Sequence, residues 1–184
     1  YWEVIHVGDR LKVVIFDLDG VLVPFKSSWE YLHRYFGLSN DDFRKRNMEL
    51  FAKGLISYEE WMHRDLSLIV SSRKCVKRDD VVRAFSSINI VDGAREVCRY
   101  LLSNGYEVAI VSAGIDILAE LVGRQLGIKR VYANKLVFGS NGCLLPKGIE
   151  VVNPLRKDVV IERLSNELRI CLLYTSPSPR DLST

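Results

Sequence analysis

A chain of 184 residues, 48% hydrophobic and 27% charged, carries enough apolar material for one core of ordinary size with room for a small subdomain. Its net charge of +3 is scattered apart from clusters at Arg44–Arg46 and Arg73–Arg78, and no nucleic-acid-binding module accompanies it, so a nucleic-acid partner is not expected. No apolar run reaches membrane-spanning length and no signal peptide stands at the start, although the first residue is Tyr1 rather than Met; a cytoplasmic protein with no membrane partner is the default expectation.

The first ten residues are mixed, with an extra strand expected through Val4, Ile5 and Val7. Leu11 to Asp17 then forms a run of β-branched and aromatic residues that stops at Asp17-Leu18-Asp19-Gly20, the pattern of a buried parallel strand delivering acids to its carboxyl end. Strand alternation sends Asp17 and Asp19 to one side, and two close carboxylates need a cation or a shared proton. The stretch asks for a metal.

Beyond Pro24, Ser27 or Ser28 caps a helix through Trp29, Leu32, Tyr35 and Phe36 that ends at Gly37. A second helix is expected from Ser39 or Asn40 to about Lys53, a third opens with Ser57-x-x-Glu60 as a capping box, and a weaker fourth covers Asp79 to Phe85. Four helices between two strand signals make too long an excursion for a simple crossover and read as a helical insert. Asp92 is expected to cap the next helix, with Ala94, Val97, Leu101 and Leu102 inward.

Val108 to Val111 reads as the second buried strand, ending at Ser112-Ala113-Gly114, with a helix from about Ile115 to Leu126 behind it. This rhythm of strand, helix, strand, helix predicts an α/β fold with a doubly wound parallel sheet, whose ligand lies at the carboxyl ends of the strands. Val131–Ala133 is a third strand, Ser140-Asn141-Gly142 a hairpin turn, and Pro154 precedes a helix from about Arg156 to Leu168 with Lys157 in its first turn. Cys75, Cys98, Cys143 and Cys171 show no C-x-x-C spacing, so reduced thiols are expected, with Cys98 simply packed. Cys171 to Asp181 breaks the helical periodicity before it and resembles an in-frame read-through of a transposon-end adapter; residues 171–184 are therefore left out of fold reasoning.

Asp17-Leu18-Asp19-Gly20-Val21, Ser112 at the next strand's end and Lys157 entering a later helix together resemble three of the four motifs of the haloacid-dehalogenase (HAD) superfamily. The insert resembles the cap of its phosphoserine-phosphatase-like branch. The resemblance implies a Rossmannoid core over residues 1–23 and 91–170, a helical cap over 24–90, and a phosphomonoester hydrolase acting on a small phosphorylated metabolite. It also implies roles. Asp17 is the nucleophile that becomes an aspartyl-phosphate, and Asp19 is the acid and then the base. Mg2+ is held by the Asp17 carboxylate and the Asp19 backbone carbonyl. Ser112, with the backbone N–H groups of Ala113 and Gly114, and Lys157 bind the phosphate.

Simpler roles exist for each residue: Asp17 and Asp19 as capping groups, Ser112 as a turn serine, Lys157 as an exposed lysine with Lys147 as its rival. His33 and His63 read as surface or packing residues, and Trp29, Phe51 and Trp61 as core aromatics. The family's acidic fourth motif is absent, so weak or no turnover of para-nitrophenyl phosphate is expected from this chain, and the Asp17 strand is expected to be left as an exposed hydrophobic edge. Phosphoserine phosphatases carry an acid nine positions after the nucleophile, where this chain has Lys26, a specificity candidate that favours an extra carboxylate or phosphate on the substrate. Alternatives are a phosphosugar or phosphoglycolate phosphatase, a phosphomutase, a receiver-like phospho-accepting domain, or an inactive fragment.

Overall fold

The computed structural model describes residues 2–7, 11–38 and 41–168. Its five strands are β1 (Trp2–Val7), β2 (Leu11–Phe16), β3 (Tyr106–Ile115), β4 (Arg130–Phe138) and β5 (Leu144–Ile149), hydrogen-bonded in the order β1-β2-β3-β4-β5. β2, β3 and β4 run parallel, and both outer strands are antiparallel to their neighbours. Between β2 and β3 lie α1 (Ser28–Tyr35), α2 (Asp41–Ala52), α3 (Tyr58–Ser72), α4 (Arg78–Ser86) and α5 (Ala94–Ser103); α6 (Asp116–Leu126) joins β3 to β4, and α7 (Lys157–Glu167) follows β5.

The period of two along the central strands sorts the core into two layers. Val14, Phe16, Val108 and Ile110 pack with α5, α6 and the inserted helices. Val13, Ile15, Ala109 and Val111 face the other way, onto Val152 and the Val160, Ile161 and Leu164 stripe of α7. With both faces covered, β2 and β3 read as unbroken apolar runs, and each fully buried branched side chain contributes about 1.5–3 kcal/mol. The sheet is wound on both sides, as the sequence predicts.

Several details differ from the sequence reading. β1 pairs along the whole of β2, from Trp2 opposite Phe16 to Val7 opposite Leu11, so the edge expected to be exposed is covered by the chain's own first strand. β3 continues past Ser112 to Ile115, because Ile115 recovers its pairing with Asn134 of β4 after a register shift. β4 likewise runs on to Phe138 and becomes one arm of the predicted hairpin with β5. Gly93, in the left-handed conformation, caps α5 in place of Asp92, and the helix buries Cys98 while leaving Val97 and Leu102 exposed.

The expectation of reduced thiols is corrected by a disulfide between Cys75 and Cys143, 68 residues apart. The loop before α4 meets the β4–β5 turn there, and the Leu144 N–H donates to the Val76 carbonyl at 2.7 Å beside it. Cys98 is buried and free, as expected, and Cys171 lies outside the described residues. No described helix is long and apolar enough to cross a membrane. The adapter-like stretch 171–184 also lies outside the described residues.

Candidate active site

The carboxyl ends of β2 and β3, the N-terminus of α7 and the near faces of α1 to α3 enclose a cavity of about 180 Å3. Asp17, Asp19, Lys26, Ser112, Ala113, Gly114 and Lys157 all line it, so all seven sequence-predicted site residues come together.

Asp17 follows the last residue of β2. Its Oδ1 accepts the Leu18 N–H at 2.8 Å, and its Oδ2 lies 2.5 Å from Lys157 Nζ, across 140 residues of chain. Both side chains are only partly exposed, 20% for Asp17 and 27% for Lys157, so this pair is screened less than a surface ion pair. Lys147 is thereby displaced as the rival lysine. Lys157 is the first residue of α7, and that placement aims the ammonium into the cavity from the sheet's other side.

Asp19 is held differently. Its Oδ2 accepts from both the backbone N–H and the hydroxyl of Ser28, each at 2.9 Å, while Oδ1 is buried without a hydrogen-bond partner. Burial pushes its carboxyl up to about 6; the two Ser28 bonds pull it down, the Asp17 charge adds to the rise, and Lys157 opposes it. A carboxyl poised there exchanges a proton near neutral pH.

The Ser112–Gly114 segment is fixed from outside. The Ala113 carbonyl accepts three bonds, from Trp29 Nε1 at 3.1 Å, Tyr58 Oη at 2.8 Å and Asn134 Nδ2 at 2.9 Å. Peptide planarity then sends the Gly114 N–H the opposite way, toward Ser112 Oγ at 3.0 Å. Asn134, fully buried, also accepts the Val151 and Val152 N–H groups at 2.7 and 2.9 Å, so one side chain ties this turn to the segment leading into Lys157. Gly114 is required by crowding: a Cβ there meets Ser28 Oγ at 2.5 Å and Asp19 Oδ2 at 2.9 Å.

The far wall comes from the inserted helices. Arg44 and Lys26 face the cavity together with Trp29, Tyr58, Trp61, Met62 and Asp65. Arg44 Nη2 donates to Ser27 Oγ at 3.3 Å, and its buried Nη1 stands 3.6 Å from Asp65 Oδ2 with no hydrogen-bond partner. Burial raises the Asp65 carboxyl to about 6 against the pull of Arg44 and Asn47. His33, whose Nε2 lies 3.0 Å from the Asp65 carbonyl, is buried and held down to about 4 by desolvation and by Arg44, so it is a packing residue. His63 is exposed and bonds the Pro146 carbonyl.

Among the described residues, no group of three or more His, Cys, Asp or Glu side chains converges as a cation site. The Asp17 carboxylate and the Asp19 carbonyl fit the part of a Mg2+ shell that a protein commonly supplies, since that ion retains water and takes phosphate oxygens.

The family model for haloacid dehalogenase-like hydrolases matches residues 14–183, a span that runs into the adapter-like stretch. The chain belongs to this family. As a HAD-like hydrolase it is similar to the phosphoserine phosphatase of Methanocaldococcus jannaschii, 27% identical over 156 residues that cover 85% of this chain and 71% of that one. It is also similar to a probable phosphoserine phosphatase of Schizosaccharomyces pombe, 25% identical over 90% of this chain, and there it spans only 54% of the relative's length. A structure described as a phospho-aspartyl intermediate analogue of phosphoserine phosphatase superposes with a TM-score of 0.68 at 25% identity, covering 89% of this chain and 75% of that one.

The HAD-like site draws on residues that sequence reading missed. The sequence offers Ser28 only as a candidate helix cap and Trp29 as core, and singles out neither Tyr58 nor Asn134. The only local signal was Ser27-Ser28 at a helix start nine residues beyond Asp19, and the bonds that matter span 84, 55 and 21 residues.

Proposed function

We propose that this HAD-like hydrolase is a phosphomonoester hydrolase acting through an aspartyl-phosphate on Asp17. The observation that carries the reading is the 2.5 Å Asp17–Lys157 pair in one cavity with a second carboxyl, Asp19, held near 6. Asp17 attacks the phosphorus, Lys157 holds the nucleophile and screens the phosphoryl charge, and Ser112 with the Ala113 N–H receives the phosphoryl oxygens, while the Gly114 N–H is given to Ser112 Oγ. Asp19 protonates the departing alkoxide and later takes a proton from water. When bound by the Asp17 carboxylate and the Asp19 carbonyl, Mg2+ supplies further charge neutralisation at the phosphoryl group.

Residues 24–90 act as the cap over the core formed by 1–23 and 91–170, excluding water while the ester is cleaved. The two cations on the cap side of the cavity, Lys26 and Arg44, favour a small metabolite with a second anionic group, so a phosphoglycolate-type substrate fits this wall better than the ammonium of phosphoserine. The relatives' names point to phosphoserine itself. The Cys75–Cys143 bridge fits an oxidising compartment better than the cytoplasmic default.

The test is phosphate release from a panel of phosphomonoesters by the 184-residue chain and its Asp17→Asn variant, with Mg2+ present. Slow release, fastest with esters bearing a second carboxylate or phosphate and lost in Asp17→Asn, is expected. A clear preference for phosphoserine refutes the assignment of Lys26 and Arg44, and release unaffected by Asp17→Asn refutes the mechanism.

A further inference from the structure

Ser28 opens α1, is fully buried, and spends every polar atom it has beyond its carbonyl on the site. Its N–H, one of the four donors a helix start leaves unpaired, and its hydroxyl both point at the same Asp19 oxygen, Oδ2, at 2.9 Å each. The hydroxyl oxygen in turn accepts the Ile115 N–H at 3.1 Å, which leaves the hydroxyl proton free to be the one given to Asp19. Gly114 closes the arrangement, because any Cβ there displaces the Ser28 hydroxyl. Asp19 Oδ1 is buried and accepts no hydrogen bond from the described residues.

Resting on the hydrolase reading above, we propose that Ser28 is a positioning residue that fixes the carboxyl group of Asp19, the acid and base of the reaction. Two donors on Oδ2 set the plane of that carboxyl group at the cavity wall. In the first step an Asp17 oxygen bonds to phosphorus, the P–O bond to the alcohol breaks, its electron pair leaves on the alkoxide, and that alkoxide takes the proton from the Asp19 carboxyl. In the second step water attacks phosphorus, the Asp17–phosphorus bond breaks and returns its electron pair to the carboxylate, and the water's proton passes to the Asp19 carboxylate. The first residue of the inserted helices thus orients an acid carried by the strand end, an arrangement that couples the seating of α1 to the chemistry.

The experiment compares wild type, Ser28→Ala and Asp19→Asn on two esters: glycerol 2-phosphate, whose alkoxide needs a proton, and para-nitrophenyl phosphate, whose phenolate leaves without one. Ser28→Ala is expected to lose roughly ten- to a hundredfold in kcat on glycerol 2-phosphate, with KM little changed, and no more than about threefold on para-nitrophenyl phosphate, the same selectivity as Asp19→Asn. Equal losses on both esters overturn the proposal, since loosened packing lowers both alike. Should Ser28→Ala not fold, Ser28→Cys, which keeps the volume with a weaker donor, is read the same way. If wild type cleaves neither ester, the positioning is read from a crystal structure of the variant. An Asp19 carboxyl turned away from the residue-28 N–H upholds the positioning, and an unmoved one overturns it.

Discussion

At the scale of single residues, the site is defined by how differently its two strand-end acids are held. Asp17 is paired with an ammonium, whereas Asp19 is desolvated and, among the described residues, hydrogen-bonded by Ser28. Gly114 makes that contrast possible, and Gly114→Ala is expected to destabilise the protein by about 1–3 kcal/mol and to cut phosphate release at least tenfold, because a Cβ 2.5 Å from Ser28 Oγ has nowhere to go. Chemical denaturation and a phosphate assay on the same preparation check both. Behind the far wall, Asp65 and His33 make opposite contributions to pH dependence. Asp65 has its carboxyl raised from 3.8 to about 6, so the folded protein holds that proton more tightly than the unfolded one, and stability falls as pH rises between those values. His33, depressed from 6.5 to about 4, gives stability that is present above 6.5 and is lost as pH falls toward 4. The two trends largely cancel. Asp65→Asn removes the first, so the stability of this variant should rise more steeply from pH 4 to 6 than that of wild type, by up to roughly 3 kcal/mol for a shift of this size. Parallel slopes from denaturant midpoints across that range would contradict the assignment.

At the scale of elements, the site depends on long-range fastenings between pieces that local sequence specifies well. The β2 strand, the helix starts at Ser27 and Ser57 and the Ser140-Asn141-Gly142 turn follow from apolar periodicity, capping chemistry and turn residues, and the structure reproduces each of them. What periodicity does not encode is which distant groups meet. The three donors on the Ala113 carbonyl, the two hydrogen bonds that Ser28 donates to Asp19 Oδ2 and the pairing of Cys75 with Cys143 exist only after packing. The same limit explains the exposed side of α5: Val97 and Leu102 fit a helical stripe on paper, but the helix is rotated so that Cys98 meets the core. The disulfide closes a loop across 68 residues, for which loop-closure entropy alone is worth about 4 kcal/mol. Cys75→Ser should therefore lower unfolding stability by roughly that amount under non-reducing conditions and by almost nothing when wild type and variant are compared in a strong thiol reductant. Equal stability without reductant would show that the bridge does not form in solution.

At the scale of the whole molecule, a sheet covered on both faces presents Asp17 and Ser112 at the ends of neighbouring strands, and α7 returns from the opposite face to place Lys157 beside them. The seven predicted residues among those lining the cavity were legible through the resemblance of their motifs to the family's, because those motifs sit at strand ends and helix starts that the sequence marks locally. The covering of β2 by β1 was not, since nothing local distinguishes a strand that seals an edge from one that lies elsewhere. The most direct test is acid quenching of the chain during turnover of a phosphomonoester, followed by mass spectrometry of its peptides. One phosphoryl group on Asp17, labile to hydroxylamine and absent from Asp17→Asn, is the expected result; phosphate on another residue, or release by the Asp17→Asn chain at the wild-type rate, would contradict it.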